Sequence, residues 1–109
     1  MKPARLRRAA KLDLSDAAAY YATRGGLALG EDFLREATAA LSRIEAMPGL
    51  GSPQLAQLCG VEGLRAWPVK RFPLRWFYFE RDSHLDLVRL LGDRQDIAAI
   101  LAAHDATGP

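Results

Sequence analysis

Between Leu64 and Arg75 the chain reads LRAWPVKRFPLR, and Arg65, Lys70, Arg71 and Arg75 fall within eleven residues that contain no acidic side chain. Cationic groups at this density can hold either an acidic protein segment or a phosphate backbone. Aromatic residues interleave and follow them, as Trp67, Phe72, Trp76, Phe77, Tyr78 and Phe79. Such a patch can stack bases, whereas aromatics alternating along a strand more commonly fill a core. A further arginine, Arg89, lies in the apolar run LDLVRLL. A guanidinium fixed on a rigid strand grips phosphate or carboxylate well. It can equally close a buried ion pair, with Asp96 or a helix carboxylate as its partner. The second cluster, Arg5, Arg7 and Arg8, reads as a solvated face.

The apolar spacing supplies the elements that must position these groups. Alternation over Ala4 to Ala10 predicts a short first strand at an edge. From Leu12 to Thr23 a helix is expected, with Leu14, Ala18 and Tyr21 on one stripe and Asp13 and Asp16 near its positive end, closed by Gly25 and Gly26. Leu29, Phe33, Ala37, Leu41 and Ile44 mark a longer helix over Ala28 to Met47, ended by Pro48. The short link makes the two an antiparallel hairpin. Pro48 to Pro53 is turn punctuation, with loop continuing to Glu62. The period then changes to two: Leu64 to Lys70, Phe72 to Glu80 and Leu85 to Leu91 read as three antiparallel strands, with a hairpin turn at Arg81 to His84. Pro68 and Pro73 mark strand ends, edges or a bulge.

Asp93 is placed to cap a closing helix carrying Ile97, Ile100, Leu101 and His104, with a frayed tail from Ala106. The result is an α+β domain: a strand, a helical hairpin, a three-stranded meander and a short C-terminal helix. On the last strand, Leu85, Leu87, Arg89 and Leu91 are expected on one face, with Asp86, Val88 and Leu90 on the other. The strands are apolar on both faces while the hairpin covers one, so the other is expected to await a partner.

The 109 residues, half of them apolar, fit a single domain spanning 1–109 that buries roughly 60 to 70 per cent of its unfolded surface. The net charge is only +2. A single cysteine, Cys59, excludes an internal disulfide and a cysteine-based metal cluster, and reads as a small apolar or loop residue. No metal and no cofactor are expected. No apolar run approaches the ~20 residues that span a bilayer, so a cytoplasmic location is expected. The Pro48 to Pro53 stretch lacks the spacing of a phosphate-binding loop.

Several ordered signposts resemble the ParE branch of the RelE/ParE toxin superfamily. They are Leu64-Arg65-Ala66-Trp67-Pro68-Val69 with Phe72-Pro73 and Tyr78, then Val88-Arg89-Leu90-Leu91, then Arg94-Gln95-Asp96-Ile97 with Ile100-Leu101. Ala10 to Leu14, Tyr20 and Tyr21, Gly26, Ala28, Phe33 and Pro48 to Gly51 match earlier signposts in the same order. One departure stands out: Gly92-Asp93 replaces the His-Gly pair that usually precedes Arg-Gln-Asp-Ile. The resemblance implies the toxin of a bacterial type II toxin-antitoxin pair, of the plasmid-stabilising kind. Its partner would be a small ParD-like antitoxin with a ribbon-helix-helix DNA-binding head and a tail wrapped over the toxin, as helix-in-groove or added strand.

Two activities follow from the resemblance. ParE-like members are thought to poison DNA gyrase by binding it, which requires no catalytic group. RelE-like members cleave mRNA on the ribosome, which requires a group to activate the 2′-hydroxyl and others to stabilise a phosphorane. For that chemistry Arg65, Arg71, Arg75 and Arg89 are the phosphate-binding candidates, and Tyr78 or His84 would handle the proton. The gyrase-directed reading fits the residues better, and Arg65, Trp67, Arg71, Arg75, Arg89 and Arg94 are then expected to line or adjoin the antitoxin-covered surface. A nucleic-acid-binding module is the third reading.

Overall fold

The computed structural model describes residues 1–54, 57 and 60–107, and side-chain surroundings as far as residue 103. Cys59 and the last two residues lie outside the described residues, as does the side chain of His104. The elements run β1 (Ala4–Leu6), α1 (Arg8–Gly25), α2 (Leu27–Ala46), a 3-10 turn (Pro48–Leu50), β2 (Leu64–Pro68), β3 (Leu74–Glu80), β4 (Leu85–Gly92) and α3 (Ile97–Thr107). The α+β architecture is the one the periodicity predicts.

β1 is shorter than the alternation over Ala4 to Ala10 predicts. The Arg7 N–H makes a last bond to Leu87 O at 2.9 Å, after which Lys11 N–H reaches back to Arg7 O and the chain is helical. α1 ends where Gly26 adopts φ 89° and its N–H bonds Ala22 O, a conformation only glycine takes without a steric penalty. α2 then returns along α1 at close range, because a side chain at Gly30 would press on Ala22 and the Ala18 carbonyl.

The sheet order is β1-β4-β3-β2, with β1 parallel to β4 and the remaining pairs antiparallel. Both edges are occupied. Ser52 exchanges two 2.9 Å backbone bonds with Ala66 on the outer side of β2, and Glu45 Oε2 accepts the Ala4 N–H of β1 at 2.7 Å.

The hairpin covers one sheet face, where Phe33, Ala37 and Ile44 meet Trp76, Tyr78, Leu85, Leu87 and Leu90. The Trp76 indole, wholly buried, donates to Ala37 O at 3.1 Å. The opposite face does not await a partner. Phe77, Val88, Leu91, Leu64 and Ala66 are buried there under Val61 and under α3 through Leu101, with Ile97 and Ile100 packed alongside. The closing helix therefore seals the face expected to be bare.

The face assignment on β4 also changes. The register slips between Phe77 and Tyr78, which pair with Arg89 and Leu87 and leave Val88 as the extra residue of a β-bulge. A bulge reverses the alternation beyond it. Leu90, not Leu91, consequently joins Leu85 and Leu87 against the helices.

α3 begins at Ile97 and extends through Ala106 to Thr107, so Asp93 is not its cap. Asp96 takes that place, its Oδ1 accepting the Ala99 N–H at 3.2 Å. Among the described residues, no helix is long and apolar enough to cross a membrane, and no cluster of three or more potential metal ligands occurs.

Candidate functional site: arginines and two grooves

The candidate arginines divide into those committed within the fold and those presented at its surface. Arg65, half-buried on β2, donates to Gly51 O at 2.7 Å and approaches Gly49 O at 3.5 Å. Tyr78, directly across the ladder from Arg65, donates its hydroxyl proton to Pro48 O at 2.6 Å and accepts the Gly51 N–H at 2.9 Å. Together they pin the Pro48–Gly51 segment against the sheet. Burial lifts the Tyr78 phenol above its ordinary pKa, more than the Gly51 N–H and the Arg65 charge lower it. The hydroxyl therefore stays protonated at neutral pH and is a poor proton acceptor.

Arg89 crosses from β4 to α1, where its Nε and Nη2 meet the two oxygens of Asp13 at 2.6 and 2.8 Å. This is the helix-carboxylate ion pair that its apolar setting anticipates, with Asp13 as partner and not Asp96. Arg7 makes a similar fork to Asp86 at 2.9 and 2.8 Å, and Arg81 reaches the same carboxylate at 3.0 Å. Burial pushes the Asp86 carboxyl up, but the hydrogen bonds and charges of Arg7 and Arg81 outweigh it and hold the group below the usual range.

Arg71 is presented differently. It occupies the β2–β3 turn at φ 73°, the only described non-glycine residue with positive φ, a conformation that costs a residue carrying a Cβ on the order of 1–3 kcal/mol. Its guanidinium stands 3.8 Å from Glu36 and 5.9 Å from the centre of the Phe72 ring. Beside it, α2 and the end of β2 enclose a groove of about 460 Å³ walled by Glu36, Ala40, Arg43, Trp67, Pro68 and Lys70. Arg43 lies over the Trp67 ring at 6.0 Å.

A second groove, of about 780 Å³, lies on the other side of the same turn, between α1 and the segment that follows β4. Tyr20 and Tyr21 form one wall, Pro73 and Leu74 the floor, and Gly92 to Gln95 the other wall. Arg94 stands exposed here, and Arg75 reaches the rim through Asp93 at 3.4 Å.

Trp67 thus lines the α2 groove and Arg94 the α1 groove, Arg71 and Arg75 adjoin them through Glu36 and Asp93, and Arg65 and Arg89 brace the fold. Trp76 and Phe77 are fully buried and offer no ring for base stacking. His84 lies at the β3–β4 turn, with its Nδ1 3.2 Å from Ser83 Oγ. The seven-residue β3 separates that turn from Arg71 and Arg94, a span of about 20 Å. Neither Tyr78 nor His84 is positioned as a proton shuttle for these exposed arginines.

Sequence reasoning did not assign site roles to Tyr20, Tyr21, Glu36 or Arg43. For Tyr20, half exposed at 51% on a helix otherwise rich in alanine, the clue was a large ring one position off the packing stripe.

The sequence and the fold have known counterparts. The family model described as "ParE toxin of type II toxin-antitoxin system, parDE" matches residues 4–97. Toxin ParE1 of Caulobacter vibrioides is 43% identical over 53 residues, which are 49% of this chain and 55% of that protein. The chain thus matches about half the length of that curated relative. A solved structure described as the chromosomal ParDE TA system from P. aeruginosa superposes with a TM-score of 0.72 at 18% identity, covering 84% of this chain and 96% of that one.

Proposed function

The chain belongs to the ParE toxin family of type II toxin-antitoxin systems, and from that premise we propose that it acts by binding a protein target, DNA gyrase, and is silenced by a small ParD-like antitoxin. The observation that carries this reading is the state of Tyr78. Its proton is held by Pro48 O at 2.6 Å and burial raises its pKa, so this candidate for moving a proton is engaged in holding a loop. Cleavage of RNA would need that proton transfer. Inhibition by contact needs only shaped, charged surface.

The antitoxin is proposed to lie in the α2 groove, with an apolar side chain against Trp67 and acidic groups toward Arg43, Lys70 and Arg71. A helix laid in the groove is favoured over an added strand, because Ser52 already occupies the middle of the β2 edge. Arg65, on the same strand as Trp67, supports this surface, and Arg89 braces the fold through Asp13 on α1. A ribbon-helix-helix head on the antitoxin and a cytoplasmic site of action complete the proposal.

The test assays gyrase supercoiling and ribosome-dependent mRNA cleavage side by side with the purified chain, with and without the antitoxin encoded beside it. Loss of supercoiling, reversed by antitoxin, is expected. Cleavage of mRNA in the ribosomal A site with gyrase unaffected would replace this reading by the endonuclease one.

A further inference from the structure

The α1 groove shares no lining residue with the α2 groove, so it offers a separate seat. Arg94 lines it, and Arg24 adjoins it through Tyr20. Among the described residues, neither Arg94 nor Arg24 has a carboxylate within ion-pair distance, and Arg24 lies over the Tyr20 ring at 4.9 Å. The carboxylate lining the groove, Asp93, faces Arg75 at 3.4 Å. The groove is therefore apolar in its floor and positive at its rim.

It is also held in shape before anything binds. Gly92 N–H donates to Gln95 Oε1 at 2.7 Å, Gln95 N–H to Gly92 O at 3.1 Å and Asp93 N–H to Pro73 O at 3.1 Å. On the opposite wall Tyr21 packs against Phe33 and Phe72 with ring centres 5.1 and 4.8 Å apart. Tyrosine and arginine on a rigid frame are the composition of binding hot spots, and rigidity reduces the ordering cost of association.

We infer that the α1 groove is where the chain grips its target, through an acidic segment of that protein with one aromatic or branched aliphatic side chain. The side chain enters between Tyr20 and Leu74, and flanking carboxylates meet Arg94 and Arg24. This rests on the reading of the chain as a protein-directed toxin, and it gives target and antitoxin different grooves.

The test measures affinity of the purified chain for immobilised DNA gyrase and, separately, for the antitoxin encoded beside it, in wild type, Arg94→Glu, Arg24→Glu and Tyr20→Ala. All three side chains are exposed, and a melting curve checks that each variant is folded. Each substitution is expected to weaken gyrase binding by about tenfold or more while antitoxin affinity stays within about twofold, as for residues in one hot spot and outside the other. Trp67→Ala should do the reverse. Unchanged gyrase affinity in Arg94→Glu and Tyr20→Ala would overturn the inference and leave the proposed function standing. An equal loss of antitoxin affinity would overturn it too. A wild-type chain that neither binds gyrase nor arrests growth would overturn the proposed function itself, and the inference with it.

Discussion

Asp13 on α1 and Arg89 on β4, 76 residues apart in the chain, meet in a two-bond fork whose Oδ2 also accepts the Leu90 N–H at 3.0 Å. One carboxylate thereby fixes the angle of the first helix to the central strand and covers the backbone next to the Val88 bulge. The side chains retain only 14% and 18% of their exposure, which places the pair largely out of water.

Asp13→Ala should therefore destabilise the fold by about 3 kcal/mol, because it removes the carboxylate that the Arg89 guanidinium and the Leu90 N–H share in a site largely out of water. Arg89→Leu combined with Asp13→Ala should cost less than the sum of the single changes. Urea unfolding of the four members of this double-mutant cycle measures the coupling; strict additivity would show that the fork is not a unit.

The Asp86 carboxyl, held below its usual range by Arg7 and Arg81, makes stability depend on pH in one direction. A carboxylate with a depressed folded pKa contributes fully above its unfolded value of about 3.9, and the contribution is lost as pH falls through the folded value. Melting temperature should thus decline as the solution is taken below about pH 4. Asp86→Asn should be less stable than wild type at neutral pH and show a flatter acid limb.

Tyr78→Phe leaves Pro48 O and Gly51 N–H without their buried partner, with an expected loss of about 1–3 kcal/mol. Inhibition of gyrase per folded molecule should stay at the wild-type level. A variant of normal stability that loses all toxicity would instead give the hydroxyl a chemical role. Gly51→Ala should be worse than Tyr78→Phe for stability, because the new methyl would collide with the phenol.

Arg71→Gly should separate folding from binding. The φ of 73° is free of penalty for glycine, and the exposed contacts to Glu36 and Phe72 are weak, so stability should hold or rise by up to about 1 kcal/mol. Antitoxin affinity should fall. Equal affinity in a chain of equal stability would remove Arg71 from the proposed α2 surface.

The hairpin was legible because its helices keep their period: Phe33, Ala37 and Ile44 are buried as their spacing of four and seven requires. The face of β4 was not, since nothing in LDLVRLL marks Val88 as an extra residue; the bulge arises from pairing with β3. The partner of Arg89 could be named only as a helix carboxylate, because the choice of Asp13 depends on α1 lying over β4. The cover supplied by α3 was missed for a related reason. Ile97, Ile100 and Leu101 announced an apolar stripe, but only the turn from Gly92 to Asp96 directs it back across the sheet. At the surface, the arginines were visible as a group, and their division between two grooves was not, because Gly49, Gly51 and Asp13 remove Arg65 and Arg89 from the exposed set.

The Ser52 bridge has a consequence for the protein at high concentration. It takes both outward backbone groups of Ala66 in the middle of β2, Pro68 brings no N–H to that edge, and Glu45 stands guard at β1. Among the described residues, the middle of the β2 edge and the start of β1 are thereby closed to the strand pairing by which copies of a chain stack into fibrils.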